Sequence, residues 1–178
     1  MRWRPLGLVL VGAAAVAGGC GEGGGSQLGP TLEPETVTGV YDITRLTFDP
    51  DGSVAGADIA ARLDAAEPPR LFVALDLTFQ LAYVDPATNK FVDVDGTYET
   101  LIDGIRLSFP SREAAQAILL PQQIDLTFDE ASGTLSFDGG VDADLSRLVE
   151  LVPEYAEEQF PDPVRGALEV EFTRRADE

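Results

Sequence analysis

The sequence contains no histidine, and it holds one cysteine, one methionine and one tryptophan. Without imidazole there is no Ser-His-Asp arrangement, no histidine metal ligand and no side chain that ordinarily titrates near neutrality. A single cysteine excludes an intrachain disulfide and the multi-thiolate zinc sites. Bases are scarce: 12 Lys+Arg stand against 31 Asp+Glu, a formal net charge of −19. Such a surface repels phosphates, so nucleic acid is not an expected partner. The glycine tract at 21–25 precedes no strand-to-helix unit of the phosphate-binding kind. Asp49-Pro50-Asp51-Gly52 and Asp93-Val94-Asp95-Gly96 are the tightest acidic groupings, and neither continues into calcium-loop spacing. Asp-Gly pairs form turns first of all. Carboxylate pairs are too numerous for any one to stand out as a glycosidase-type couple. No catalytic residue, metal ligand or cofactor is therefore assigned, and the chain is not read as an enzyme.

The one cysteine, Cys20, lies in AVAGGCGEGGG between small residues and a glycine tract. Arg2 and Arg4 precede an uncharged apolar run from Leu6 to Ala17, followed by Gly18 and Gly19. A positive start, an apolar stretch shorter than the ~20 residues of a membrane span, and a small-residue cleavage zone together read as a signal peptide over residues 1–19. A thiol in this setting has neither a disulfide partner nor a core to enter. The segment Ala17-Gly18-Gly19-Cys20 resembles the lipobox of bacterial lipoproteins. The resemblance implies cleavage before Cys20, lipidation of its sulfur and anchoring to a membrane through acyl chains. Loss of Arg2 and Arg4 leaves ten bases against 31 acids. Gly21 stands where an inner-membrane retention aspartate occurs in that family, which implies the outer membrane. Residues 20–36 then form a lipidated Gly- and Pro-rich tether, 37–175 one folded domain and 176–178 a tail.

Within the domain the dominant signal is period two. Leu71, Val73, Leu75, Leu77, Phe79, Leu81 and Tyr83 share one parity, which predicts a single long strand over 71–84 with that set inward. In 97–109, Tyr98 and Ile102 precede Asp103-Gly104, and Ile105, Leu107 and Phe109 follow; the dipeptide predicts a two-residue hairpin turn. Ile124, Leu126 and Phe128 alternate with polar residues, as do Leu135 and Phe137 and, near the end, Leu168, Val170 and Phe172. Tyr41 and Ile43 share a face before the phase slips to Leu46 and Phe48, which predicts a bulge. A short strand at 90–94 brings the count to about eight. Residues 58–66 and 142–160 show helical spacing, the latter interrupted by Pro153, and Ser111 caps a further turn.

Eight antiparallel strands with one polar and one apolar face each predict a mainly β fold, an up-and-down barrel with one or two short helices. The chain resembles bacterial lipocalin-like lipoproteins in Gly39-Val40-Tyr41-Asp42-Ile43, in Gly96-Thr97-Tyr98 with Asp103-Gly104-Ile105-Arg106-Leu107, and in Gly133-Thr134-Leu135-Ser136-Phe137. Tyr41 stands where many lipocalins have tryptophan, and the helices precede the last strand; the implied architecture is a calycin-type barrel.

A barrel of this size either fills with side chains or holds one small ligand. The inward set Tyr41, Phe79, Tyr83, Tyr98, Phe109, Phe128, Phe137 and Phe172 supplies a core under the first alternative. Under the second it lines a pocket for an apolar ligand, with Ile59 and Leu63 as a lid over one mouth. The expected partners follow: a membrane through Cys20, a small hydrophobic ligand in the carrier reading, and an envelope protein in the filled-barrel reading.

Overall fold

The computed structural model describes residues 31–63 and 68–176. Cys20, residues 1–19 expected to be a signal peptide, and most of the stretch expected to be a tether lie outside the described residues. The strands are β1 (Gly39–Pro50), β2 (Ala57–Asp58), β3 (Arg70–Val73), β4 (Thr78–Asp85), β5 (Lys90–Thr100), β6 (Gly104–Ser108), β7 (Gln123–Asp129), β8 (Thr134–Ala143) and β9 (Val164–Arg174). From β3 onward each strand pairs antiparallel with the next, and β1 pairs with both β3 and β9. The result is a closed, eight-stranded antiparallel barrel, with the two-residue β2 added along the outer half of β1. Three short helices complete it: α1 (Pro34–Val37), α2 (Arg112–Gln116) and α3 (Leu145–Leu151).

The alternation in sequence becomes the two faces of the barrel wall. In β9, Val164, Gly166, Leu168, Val170 and Phe172 are buried while the residues between them face out. In β1 the register shifts between Ile43 and Arg45. The extra residue, Thr44, lets Tyr41 and Ile43 on one side of the bulge and Leu46 and Phe48 on the other all turn inward. Its hydroxyl lies 3.0 Å from that of Thr173 on the facing strand.

Residues 71–84 are two strands and not one. Val73 pairs with Phe79, Ala74 N–H donates to Thr78 O at 2.9 Å, and Leu75, Asp76 and Leu77 form the turn. A loop with an odd number of residues preserves side-chain parity from one strand to the next. Leu71, Val73, Phe79, Leu81 and Tyr83 therefore face inward as the alternation requires, while Leu75 and Leu77 are exposed.

Asp103-Gly104 is likewise not the centre of its turn. Leu101 N–H bonds Gly104 O at 2.8 Å, which places Ile102 and Asp103 at the tip, and Ile102 is exposed instead of inward. Gly104 keeps a negative φ and is the first residue of β6. What requires glycine there is proximity: a Cβ would be driven into the carbonyl oxygen of Leu126 on β7.

The helices follow their capping residues. Ser111 Oγ accepts from Ala114 N–H at 3.1 Å and Asp144 Oδ1 from Arg147 N–H at 3.0 Å. Pro153 ends the helical stripe, which resumes as a 3₁₀ turn over Pro153–Glu157. Asp142 and Ala143 belong to β8, so α3 begins later than its spacing suggests. The stretch after Asp58 is a 3₁₀ turn, Ala60–Arg62, with Asp58 Oδ1 accepting from Ala61 N–H. Helix α1 occupies positions that composition assigns to the tether, and it buries Val37.

Candidate functional site

The barrel has two ends. At the near end lie α1, the β3–β4 turn, the β5–β6 and β7–β8 loops and the last residue of β9. At the far end lie the β4–β5 turn, α2, α3 and the long β1–β3 connection.

All eight aromatic positions lie on inward parities. Tyr41 and Phe172 have no exposed surface, and Phe79, Tyr83, Tyr98 and Phe109 are 2–4% exposed. Phe128 and Phe137 are partly buried against the same core. Around them Leu46, Leu71, Leu81, Ile105, Leu107, Leu135 and Leu168 are also 0% exposed. A residue facing a void that admits water keeps surface that water can touch, so the space between these side chains is filled. Phe79 and Phe109 meet edge to face with centroids 5.1 Å apart, and the Phe79 ring occupies the space left by the missing side chain of Gly96. Two of the tyrosine hydroxyls are committed inside the protein: Tyr41 donates to Val37 O and Tyr98 to Ala74 O, both at 2.7 Å.

Ile59 and Leu63 are 0% and 3% exposed. Ile59 N–H bonds Leu46 O at 2.8 Å, so the segment is laid down on β1 as a part of the core and does not stand over an opening. Across the same end Tyr155 donates to Ala55 O, and Arg62 pairs with Glu154 at 3.0 Å.

Both ends are latched by an arginine, which residue patterning did not single out. At the near end Arg174 Nη2 donates to Tyr41 Oη at 2.7 Å and also to Thr36 O. Its guanidinium lies 5.2 Å from the Tyr41 ring centre and 5.3 Å from that of Phe128. Burial pushes the Tyr41 hydroxyl above its ordinary pKa, and Arg174 acts against that rise without cancelling it. At the far end Arg147 donates to Ala117 O at 2.7 Å, to Asp85 Oδ1 at 3.0 Å and to Glu150 at 2.8 Å. It thereby joins the β4–β5 turn to both α2 and α3. Burial raises the Asp85 carboxyl, but bonds from Arg147, Ala87 N–H and Thr88 together hold it below the usual carboxylate value. Gln116 adds a third tie, donating to Leu120 O and Asp142 O and accepting from Asp144 N–H. The one sequence cue to these latches is that each arginine is a base beside an apolar stripe in a chain poor in bases.

The concave features open to the outside, and two of the eight aromatic positions, Tyr83 and Phe137, line them. Strands β7 and β8 pair only from Thr127↔Ser136 to Asp129↔Thr134 and diverge beyond that. The seam holds an open cleft of about 740 Å³ touching Arg106, Arg112, Gln123, Phe137 and Val141. Arg106 within it is held bidentately by Asp125, at 2.6 and 2.8 Å. A second hollow of about 670 Å³ lies beside Tyr83, Asp85 and Arg147 at the far end, and a groove of about 470 Å³ runs over Phe72, Ala82 and Phe91 on the outer wall. Tyr41, Phe79, Tyr98, Phe109, Phe128 and Phe172 line none of these three.

The class is therefore a closed, eight-stranded antiparallel β-barrel, compatible with a lipocalin-like fold. No protein-family model, curated protein or solved structure matches the chain.

Proposed function

We propose that this chain is a lipid-anchored lipoprotein of the bacterial cell envelope, of the outer membrane by its Gly21, and that its barrel is a filled scaffold for contact with another envelope protein. The observation that carries the scaffold part is the interior: Tyr41, Leu46, Leu71, Leu81, Ile105, Leu107, Leu135, Leu168 and Phe172 keep no surface that water can reach, and Phe79, Tyr83, Tyr98 and Phe109 keep 4% or less. A carrier of the same architecture needs space for its cargo. Anchoring is supported by the signal-peptide layout and by the lipobox resemblance around Cys20. The strongly acidic surface suits a partner with a basic face, since complementary charge speeds and orients encounter.

Native mass spectrometry of the protein purified from its own source tests the reading. The expected spectrum is that of a chain beginning at Cys20 and carrying acyl chains, with no further small molecule bound. A stoichiometric apolar adduct would overturn the filled-scaffold reading and restore the carrier. An unmodified chain retaining residues 1–19 would overturn the anchor.

A further inference from the structure

Among the described residues four large hydrophobic side chains are exposed: Leu75 at 58%, Leu77 at 43%, Phe91 at 60% and Ile102 at 52%. Three of the four crown the near end. Leu75 and Leu77 form the tip of the β3–β4 hairpin and Ile102 the tip of the β5–β6 hairpin. These tips are neighbours, because β4 and β5 are paired strands and Tyr98 N–H bonds Leu77 O at 2.9 Å. Single exposed aliphatics need no explanation, but a cluster confined to one end does. Leu77 also has φ +65°, a left-handed position where a three-residue hairpin ordinarily carries glycine. A leucine there is unfavourable both for the backbone and for its contact with water.

The path of the chain identifies what covers these tips. Helix α1 opens the described chain at this same end, and Leu32 N–H bonds Leu101 O at 2.8 Å, immediately beside Ile102. Eleven residues lie between Cys20 and Leu32. Even fully extended, the twelve steps from one to the other span no more than about 43 Å, at 3.3–3.6 Å per residue. An anchor at Cys20 would keep the near end, where the tether joins the barrel, within that distance of the bilayer.

We infer that Leu75, Leu77 and Ile102 form a membrane-contacting rim that dips into the lipid surface beside the anchor and sets the barrel upright on it. The inference rests on the lipidation of Cys20. The surface it suits is zwitterionic. The two tips carry Asp76 and Asp103, and Glu33, Glu35, Asp129 and Glu130 stand at the same end. Anionic headgroups would oppose the contact.

The test uses the protein recovered from the host that expresses the full chain, in which cleavage before Cys20 removes the one tryptophan, Trp3, with single tryptophans introduced at Leu75, at Ile102 and, as a far-end control, at Ala87. Each variant is reconstituted into phosphatidylcholine vesicles with and without acyl-chain-brominated lipid. Leu75→Trp and Ile102→Trp should emit at shorter wavelength and be quenched several-fold more than Ala87→Trp. Admixed phosphatidylglycerol should reduce that difference. Two reporter sites guard against one variant folding poorly. Equal, weak quenching at all three positions overturns the inference. A blue shift that grows with protein density but is not quenched overturns it in favour of contact between copies. Shielding that appears only when an envelope protein is added overturns it in favour of that protein. Vesicle flotation is read in parallel. Protein that floats but is not quenched sinks only the rim, whereas protein that does not float sinks the anchor and the rim with it.

Discussion

Phe79→Ala separates a filled barrel from an open one by its cost. In the structure Phe79 is 2% exposed, lies edge-on to Phe109, and fills the space above Gly96. Removing the ring deletes the transfer free energy of a buried aromatic side chain and leaves a cavity that the surrounding strands cannot close, because Val73 and Gly96 are held opposite it by the ladders of β3 and β5. Truncations of this kind cost about 3–5 kcal/mol, and the lost ring pair contributes about 0.5–1.5 kcal/mol of that. Urea denaturation followed by far-ultraviolet circular dichroism measures it, with the slope checked for a constant unfolded state. An apolar environment-sensitive dye, titrated into the parent and the variant, gives the second reading. The filled barrel predicts the full loss in stability and no saturable dye binding by the parent. Saturable binding by the parent, with a loss under about 1 kcal/mol in the variant, would refute the packing argument, since a residue facing an existing cavity has few contacts to lose. Gly96→Ala supplies a partner. In the parent its Cβ would collide with the Phe79 ring and come within 2.7 Å of Ser108 O. Its cost should therefore fall, but not vanish, in the Phe79→Ala background, where only the backbone conflict persists.

Gly104→Ala should lower stability by about 3 kcal/mol or more, at the upper end for overpacking, because the obstacle is the backbone oxygen of Leu126 and no rotamer relieves it; thermal melting checks this, and an unchanged midpoint would mean the β6–β7 approach is looser. Asp85→Asn should cost about 1–3 kcal/mol at pH 7 by removing the charge that accepts from Arg147 and Thr88. The Asp85 carboxyl is depressed below the ordinary 3.8, so its contribution is complete above about pH 4 and is lost as the pH falls through the lower folded value. Denaturation curves of parent and variant should accordingly converge in acid, and a gap that persists there would assign the cost to packing instead of charge. Cys20→Ser should remove the anchoring acyl chains, and mass spectrometry of membrane fractions should find no lipidated form; a lipidated Ser variant would disprove the lipobox assignment.

Much of the barrel is legible in the residues alone. Alternation with period two is a local consequence of strand geometry, so the inward faces of β1, β7, β8 and β9, the bulge between Ile43 and Leu46, and the cap at Ser111 all follow from neighbours in sequence. The expectation of a signal peptide before Cys20 rests on local features in the same sense. What alternation leaves open is where a strand ends. A three-residue turn preserves parity, so 71–84 reads the same as one strand or as a hairpin, and only the pairing of Val73 with Phe79 distinguishes them. Leu75, Leu77 and Ile102 therefore read as inward residues until the turns place them at the tips. Gly104 shows a related limit: its glycine is required by Leu126, a residue 22 positions away on β7, and not by the turn whose Asp-Gly signature it carries. The same distance in sequence hides the latches. Arg174 meets Tyr41 across the closure of β9 onto β1, and Arg147 meets Asp85 across the far end, contacts that exist only once the barrel has closed. Whether the interior is full is likewise a property of volume. Patterning chooses which side chains turn inward, but whether they fill the space depends on barrel radius and on what the two ends add, and only the tertiary structure decides that.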